Sequence, residues 1–442
     1  MSIFHKIKLR LWLFTCWWVR FFGIRGDAWY QEHKSRVKHS LGYLSGMAFD
    51  YAAYGRAMLE KSKTPDKSEF MPLSNEFHPW HEGQPKVIAF YLPQFHQFKE
   101  NNEWHGKGFT EWTNVTKAVP QFLGHHQPQL PIDVGFYDLS SPKIMYRQVE
   151  LARQYGLYGF CFHYYWFSGG KRLLETPIFN WLNDKSLDFP FCLCWANENW
   201  SKLWDGGNRE VLMKQESRAE DAPDFARDIL PFLKDERYIR IDGRPLLVIY
   251  RPNLFTKENW LAFAKTLREK AVEAGLPGLF LCMVGVDYFD DTASSWGFDG
   301  LVEFPPMRIT HLREYVKDGN PVNPDFKGYV YTMEDAIRSG RIFENKVTDV
   351  PVFRGCFPAW DNTSRKAYSN ASVYLQSPQS YKEWLAGLLK WEQEHNAPDK
   401  QFVFVNAWNE WAEGAHLEPD SRYGYAYLHA TCEALKGEKQ LI

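Results

Sequence analysis

The sequence lacks an excess of charge, a glycine-rich phosphate loop and a long apolar run. Its formal net charge is −2 over 442 residues, which argues against a nucleic-acid partner recognised through bulk charge. No glycine-rich loop follows any predicted strand, and this argues against a nucleotide-binding Rossmann domain. The N-terminal apolar run at 11–19 has nine residues, too few to span a bilayer.

Cysteine is scarce, and its number is odd. The seven cysteines are Cys16, Cys161, Cys192, Cys194, Cys282, Cys356 and Cys432. Most of them fall in predicted apolar strands, which indicates buried free thiols rather than a disulfide framework. We therefore expect a reducing compartment and a cytoplasmic protein. The sequence also has no H-E-x-x-H motif and no paired Cys and His spacing, so we expect neither a metal nor another cofactor.

Aromatic residues, in contrast, are abundant, at 17% of the chain with 19 tryptophans. One interpretation is an aromatic-rich core. The other is a carbohydrate site, because flat rings stack on the C–H faces of sugars while their polar tips bond to hydroxyls. Composition alone leaves both interpretations open.

Residues 1–26 differ from the rest of the chain, because basic side chains are interleaved with large aromatic ones. We favour an interfacial amphipathic helix, which would bring the protein into peripheral contact with the inner face of the inner membrane. A signal peptide or anchor, and a helix packed on the domain, are the alternatives. Residues 27–84 are predicted to form a helical extension, around 42–61, and a linker at 61–74, to which we assign no chemistry.

From residue 85 to 442 the pattern becomes regular, with apolar strands and amphipathic helices in alternation. The predicted strands are 87–92, 159–165, 191–196, 245–250, 279–284, 300–303, 352–357 and 402–406. The predicted helices are 142–155, 221–234, 258–274, 381–395 and 425–435. Eight strands in this alternation predict an α/β fold, a (β/α)8 TIM barrel preceded by the N-terminal helical extension. A doubly wound open sheet is the alternative.

Polar and aromatic side chains recur near the ends of these strands, where barrel enzymes carry their active sites. The residues predicted to bind substrate are Tyr91, Gln94, His96, Trp112, His163, Tyr164, Trp195, Asn197, Glu198, Asn199, Trp200, Tyr250, Arg251, Glu303, Trp360, Asn406, Trp408, Trp411, His416 and Glu418. Glu111 and Arg365 lie in the same stretches. Each residue alone could be structural, but together they describe a cleft of rings, amides and carboxylates suited to a carbohydrate.

The stretch after the last strand concentrates this chemistry. Glu410 and Glu413 are three residues apart, so a helical turn or a tight loop places both on one side. Two close carboxylates can divide acid and base work, because each changes the pKa of the other. A solvated loop is the alternative, although Trp408 and Trp411 argue against it. A metal site that includes His416 is a further alternative, which no motif supports.

Several motifs in this part of the chain occur together in a known order. They are "FYLPQFHQFKENNEWHGKGFTEWTNV", "FCFHYYWF", "CWANENW", "FPAWDNTSR" and "NAWNEWAEGAHLEPD". With them the chain resembles the WbsX-type proteins of bacterial polysaccharide gene clusters, which are related to the endo-acting α-mannosidases of glycoside hydrolase family 99. The resemblance covers about residues 86–435 and leaves the N-terminal segment aside.

The resemblance implies a retaining mechanism without a carboxylate nucleophile. By analogy, Glu410 is the base that activates the sugar's own 2-hydroxyl. Glu413 is the acid that protonates the leaving oxygen, and then the base that activates the acceptor. This division requires an ionised Glu410 and a protonated Glu413 at the start. The implied partner is an oligosaccharide or polysaccharide, free or lipid-linked, and the reaction needs no metal and no nucleotide.

The resemblance leaves the type of reaction open. The same site would serve an endo-glycosidase, a transglycosidase or a glycosyltransferase of lipopolysaccharide, O-antigen or capsule biosynthesis. A non-catalytic carbohydrate-binding barrel is a further alternative. An ordinary nucleotide-sugar glycosyltransferase would need a D-x-D motif, for which Asp287, Asp290 and Asp291 are the nearest candidates.

Overall fold

The computed structural model describes only part of the chain. The described residues are 50–63, 67–201, 210–285, 292–307, 309, 312, 322–344, 348–367 and 370–437. The predicted amphipathic segment 1–26 lies outside them, and so do Cys16 and the acidic residues Asp287, Asp290 and Asp291.

Eight parallel strands form a closed barrel. In chain order they are β1 (Lys86–Tyr91), β2 (Gly159–Phe167), β3 (Phe191–Trp195), β4 (Arg244–Ile249), β5 (Phe280–Val284), β6 (Gly300–Val302), β7 (Val352–Cys356) and β8 (Phe402–Val405). Each strand pairs with the next, and β8 pairs back with β1. The predicted strands and the (β/α)8 barrel are confirmed. The open sheet is excluded, because β1 has a neighbour on both sides.

Helices cover the outside of the barrel and extend its loops. The described α-helices are α1 (Tyr51–Lys63), α2 (Lys99–His105), α3 (Glu111–Thr116), α4 (Lys143–Gln154), α5 (Glu175–Asn183), α6 (Ala222–Leu233), α7 (Lys257–Glu273), α8 (Glu334–Arg338), α9 (Thr363–Lys366), α10 (Pro378–His395) and α11 (Ala426–Lys436). The predictions for α4, α6, α7, α10 and α11 are confirmed. Helix α5 escaped prediction because it is short and carries Pro177 in its first turn, where proline is tolerated without an N–H.

The described part of the chain also contains short strands that are not among the eight strands of the barrel. They are Lys171–Leu173, Trp200–Ser201, Val211–Met213, Arg240–Ile241, Tyr329–Thr332, Trp360–Asp361, Ser372–Leu375, Asn409–Glu410 and Ala415–His416. Two of them, Asn409–Glu410 and Ala415–His416, pair in antiparallel fashion directly after β8. This small ribbon carries the polar stretch that the sequence singled out.

Strand β2 shows how the barrel divides its side chains between two faces. His163 and Tyr165 face a cavity at the upper end of the barrel. Tyr164 and Trp166 face outward and pack on aromatic rings of α6. Successive side chains of a strand point to opposite faces, and both faces are covered in this fold, so the strands are buried throughout. The parity of a residue along its strand therefore decides whether it can meet a ligand.

The chain divides into two compact units. The unit that contains the barrel comprises residues 66–119, 126–315 and 327–442. The other unit comprises residues 1–65, 120–125 and 316–326. Within the second unit, Nδ2 of Asn323 donates to Oε1 of Gln121 at 2.6 Å. Among the helices of the described ranges, none is both long and apolar enough to cross a membrane.

The described end of the predicted linker, residues 67–74, is attached to the barrel. The N–H of Met71 donates to the carbonyl of Tyr423 at 3.0 Å, and the N–H of Tyr425 donates back to Met71 at 2.9 Å. The N–H of Ser74 donates to the hydroxyl of Tyr155 at 3.0 Å. These bonds satisfy main-chain groups that a free linker would leave to water.

Candidate active site

A cavity opens at the C-terminal ends of the barrel strands, with about 700 Å³ of empty space when the open solvent at its mouth is included. The residues that line it are Leu92, Gln94, Glu111, His163, Tyr165, Ala196, Glu198, Asn199, Trp200, Tyr250, Phe304, Arg365, Glu410 and Glu413. They come from loops after β1, β3, β6, β7 and β8 and from the ends of β2 and β4. In (β/α)8 enzymes this face of the barrel holds the active site, because the loops of all eight strands converge there.

Glu410 and Glu413 stand on the ribbon after β8. A 3-10 turn, Trp411–Glu413, links the two short strands and places both carboxyl groups at the cavity. Gly414 closes this turn in the left-handed conformation, with φ of 61°. A Cβ at Gly414 would come within 2.8 Å of Gln129 and 3.0 Å of Asp361, so both the conformation and the space require glycine.

Arg365 joins the two glutamates to a third carboxylate. From α9, its Nη1 lies 2.9 Å from Oε1 of Glu413, and its Nη2 lies 3.4 Å from Oε2 of Glu410. The same guanidinium holds Oε1 of Glu111, at 2.8 Å through Nε and 2.6 Å through Nη2. The hydroxyl of Ser364 also bonds to the carbonyl of Ala412. Helix α9 is therefore bound to the turn that carries Glu413.

The carboxyl group of Glu410 is held in an environment that favours its neutral form. Burial raises the pKa of Glu410 well above its usual range, Arg365 opposes this rise, and Glu413 and Glu111 add to it. The division of roles expected from the sequence requires an ionised Glu410. Among the described residues, burial has a larger effect on Glu410 than Arg365 does, and three carboxylates share that one guanidinium.

Glu418 holds the ribbon from below and does not line the cavity. Its buried carboxylate accepts hydrogen bonds from the indoles of Trp408 (3.1 Å) and Trp411 (2.7 Å). It also accepts from Nε2 of Gln148 (2.6 Å) and from the hydroxyl of Tyr137 (2.8 Å). Burial raises the pKa of Glu418 to about 7. Trp408, Trp411 and Glu418, which were predicted to bind substrate, are buried and are not among the residues that line the cavity.

His416 is also a supporting residue. Its ring stacks on Trp411 with centroids 3.7 Å apart, and its nitrogens bond to the carbonyl of Glu418 (2.9 Å) and to Gln129 (2.7 Å). Burial lowers the pKa of His416 to about 4, so the imidazole is neutral at pH 7. Within the described ranges, no group of three or more His, Cys, Asp or Glu side chains could hold a metal ion.

Three predicted residues face the helices instead of the cavity, because they have the outward parity of their strands. Tyr91 donates its hydroxyl to Gln148 of α4 at 2.7 Å. Tyr164 donates to Asp228 of α6. Trp195 stacks on aromatic rings of α6 and α7, at 4.3 and 5.3 Å. These three positions belong to the core.

Other predicted residues brace the loops around the cavity. Nδ2 of Asn197 donates to the carbonyl of Arg251 at 2.9 Å, and its Oδ1 accepts from the N–H of Arg251 at 2.7 Å. Nε of Arg251 donates to Glu198 at 2.7 Å. The loops after β3 and β4 are thus joined, and Glu198 is directed into the cavity wall.

The remaining predicted residues also bond within the loops. Their bonds join His96 to Pro93, Trp112 to Tyr137, Glu303 to Arg354, Trp360 to Ser372 and Asn406 to Pro305. None of these five predicted residues is among the side chains that line the cavity. Of the predicted substrate-binding residues, the structure places Gln94, His163, Glu198, Asn199, Trp200 and Tyr250 at the cavity.

The sequence did not assign a role to Tyr165, Glu111 or Arg365, which line the cavity. Tyr165 shares the inward parity of His163, two residues earlier, but the sequence shows only this shared parity and not which parity faces the cavity. Glu111 and Arg365 are 254 residues apart. No local pattern predicts the contact between Glu111 and Arg365, because only the closure of the barrel brings α3 and α9 together.

The fold is a (β/α)8 barrel with a cavity at its C-terminal face. Residues 87–431 match the family described as Glycosyltransferase WbsX, and the chain belongs to this family. The chain is 40% identical over 422 residues to proteins called WxcX, described as uncharacterized, from two strains of Xanthomonas campestris pv. campestris. The match covers 95% of this chain and 57% of each relative, so the chain spans little more than half of their length.

Two solved structures are similar to this chain at low sequence identity. A "Glycoside hydrolase-like protein" is 12% identical with a TM-score of 0.51, over 83% of this chain and 98% of that chain. The endo-alpha-mannosidase of glycoside hydrolase family 99 from Bacteroides thetaiotaomicron is 12% identical with a TM-score of 0.49, over 79% of this chain and 96% of that chain. At this identity, the first likeness concerns the fold and not the reaction.

Proposed function

We propose that this protein acts on glycosidic bonds of a bacterial surface polysaccharide, with Glu410 and Glu413 as its catalytic pair. The observation that supports the proposal is the arrangement of the two carboxylates. One arginine, Arg365, holds both at the C-terminal face of the barrel, in a cavity whose walls carry Trp200, Tyr165 and Tyr250. Rings that stack on sugars and a close carboxylate pair are the two requirements of glycoside chemistry.

The proposed mechanism is retaining and uses the sugar's own 2-hydroxyl. Glu410 takes the proton of that hydroxyl as its oxygen attacks the anomeric carbon, and Glu413 gives a proton to the departing oxygen. Glu413 then takes a proton from the acceptor as the acceptor oxygen attacks the anomeric carbon, and Glu410 returns its proton to the 2-oxygen as the three-membered 1,2-anhydro ring opens. Because burial favours neutral Glu410, the proton of Glu410 must pass to Glu413 when substrate binds, which leaves Glu410 as the base and Glu413 as the acid. A 2-hydroxyl that donates to Glu410 favours this arrangement, since hydrogen bonding stabilises the charged form of the carboxylate.

The acceptor decides between hydrolysis and transfer. Water as acceptor makes the protein an endo-glycosidase. A sugar hydroxyl makes it a transglycosidase, which fits a family described as glycosyltransferases and a place in O-antigen, lipopolysaccharide or capsule biosynthesis. A non-catalytic glycan-binding barrel is the second candidate, but a buried carboxylate pair on one arginine has no evident use in a binding module.

The test is incubation of the protein with the surface polysaccharide of its source organism, with the products followed by mass spectrometry. Shortened chains identify a hydrolase, and lengthened or grafted chains identify a transferase. The matched control is the double variant with Glu410→Gln and Glu413→Gln, which keeps the shape of the cavity. Binding of the glycan with unchanged masses in both proteins would reject the catalytic proposal in favour of the binding barrel.

We also propose that the protein binds its glycan at the inner membrane, where residues 1–26 make peripheral contact with lipid. The basis is the sequence pattern, since basic side chains attract anionic headgroups with about 1 kcal/mol each while the aromatic rings enter the interface. Full-length protein should sediment with anionic vesicles at low salt, and protein without residues 1–26 should not. Equal sedimentation of both proteins would reject the contact.

A further inference from the structure

Four buried charged groups form one cluster at the cavity: Arg365, Glu111, Glu410 and Glu413. The exposed fraction of the side chain is 6% for Arg365, 0% for Glu111, 11% for Glu410 and 14% for Glu413. If all were ionised, three negative charges would face one positive charge. A buried site of low dielectric disfavours such an excess of negative charge, because little water is present to solvate each charge and like charges repel more strongly there.

Glu111 is the most enclosed member of the cluster and makes the closest contacts with Arg365. Its Oε1 lies 2.6 Å from Nη2 and 2.8 Å from Nε, whereas the two catalytic carboxylates lie at 2.9 and 3.4 Å. The position of Glu111 is itself secured, because its N–H donates to the carbonyl of Gln94. The guanidinium is thus anchored on one side by Glu111 and presents its other edge to Glu410 and Glu413.

From this geometry we propose that Glu111 and Arg365 are positioning residues, which together fix the catalytic pair and retain one proton on it. This inference rests on the proposed function, in which the proton retained on the pair is the one delivered to the leaving oxygen. Arg365 supplies the attachment, and Glu111 supplies the additional negative charge that makes the proton necessary. Without Glu111, one guanidinium would come closer to neutralising the two catalytic carboxylates.

The other titratable groups at the cavity do not replace Glu111 in this role. His163 and Tyr165 face the cavity from β2, Glu198 from the loop after β3, and Tyr250 from the end of β4. Burial and the nearby Glu410 raise the pKa of Tyr165 well above its usual range, so it is a neutral phenol. Glu198 is paired with Arg251 at 2.7 Å. In the described part of the chain, Glu111 is the carboxylate besides Glu410 and Glu413 that forms an ion pair with Arg365.

The proton can be observed without substrate. A protonated carboxyl has its own infrared C=O band, and subtraction of the Glu410→Gln spectrum from the wild-type spectrum isolates the band that depends on Glu410. We expect this band to titrate with a midpoint clearly above the ordinary value of 4.5. In Glu111→Gln, which keeps an acceptor oxygen for Arg365, the midpoint should fall by about one unit or more, because a like charge has been removed.

A matched control and a second variant complete the test. Glu394→Gln removes an exposed charge on α10 and should leave the midpoint unchanged. Glu413→Gln removes the other carboxylate beside Glu410 and should also lower the midpoint of the Glu410 band. This variant takes the place of Glu111→Gln if that protein does not fold. A midpoint near 4.5 in the wild type, or one that neither variant moves, would overturn the inference. Because no turnover is measured, this result is independent of whether the polysaccharide assay shows activity.

Discussion

The indole of Trp411 donates a hydrogen bond to the buried carboxylate of Glu418 at 2.7 Å. Trp411 lies between Glu410 and Glu413 in the chain, so this bond ties the turn that carries them to a buried carboxylate of the same loop. The ring of His416 stacks on the same indole. The turn is thus held by side chains that never reach the cavity, and these supports can be tested separately from the chemistry.

Replacement of Glu418 by glutamine should change how stability depends on pH. The pKa of Glu418 is raised from 4.5 to about 7 in the folded protein. A raised folded-state pKa contributes stability that is fully present below 4.5 and is lost as the pH rises through 7. The unfolding free energy of wild type relative to Glu418→Gln should therefore fall by about 2–3 kcal/mol between about pH 5 and pH 8.

Denaturant unfolding of both proteins at the two pH values measures this difference. Other buried acids, such as Glu392, are present in both proteins and cancel in the comparison. A difference that stays constant with pH would contradict the assignment of a raised pKa to Glu418.

Replacement by alanine should affect glycan binding at one tryptophan near β3 and stability at another. Trp200 lines the cavity, so Trp200→Ala should weaken glycan binding by about 1–3 kcal/mol, as expected for an aromatic anchor. Trp195 stacks between helices, so Trp195→Ala should lower the unfolding free energy by about 3–5 kcal/mol through the cavity it creates. Calorimetric titration and denaturant unfolding separate the two effects, and a loss of binding alone in Trp195→Ala would contradict the outward orientation of its ring.

The two glutamates proposed as the catalytic pair should respond differently to the leaving group. Glu413→Gln cannot deliver a proton, so a substrate with a poor leaving group should lose rate by about 10²–10⁴-fold. An activated aryl glycoside needs little protonation and should lose much less. Glu410→Gln should impair both substrates, because it removes the base for the 2-hydroxyl.

Steady-state rates with the two kinds of substrate measure this pattern. A 2-deoxy glycoside is the control, since it lacks the hydroxyl that Glu410 would activate and should not react. Fast turnover of that compound would exclude the neighbouring-hydroxyl route, and near-normal rates in both glutamine variants would remove the pair from the chemistry.

Replacement of Gly414 by alanine should destabilise the turn Trp411–Glu413. The left-handed conformation costs an L-residue about 1–2 kcal/mol, and the Cβ would also press against Gln129 and Asp361. Gly340 is the matched control, because its φ of 73° is similar while nothing lies within 4 Å of a Cβ there. Thermal unfolding and activity should both suffer more in Gly414→Ala than in Gly340→Ala. Equal effects in the two variants would show that only the conformation matters.

The sequence by itself determined the eight strands, the barrel and the stretch that carries Glu410 and Glu413. These features depend on local information: continuous apolar runs mark strands buried on both faces, and their alternation with helices specifies the architecture. The grouping of rings and carboxylates near the strand ends also located the cavity, because the loops of a barrel converge at one face.

Only the tertiary structure decided which of those residues face the cavity. The period of a strand is visible in a sequence, but its phase is not when both faces are apolar, so Tyr164 and Trp195 looked as suitable as Tyr165. The contacts of Arg365 with Glu111, 254 residues away, and of Glu418 with Gln148, 270 residues away, depend on barrel closure. Long-range contacts of this kind are set by how the elements pack, and no local pattern encodes them.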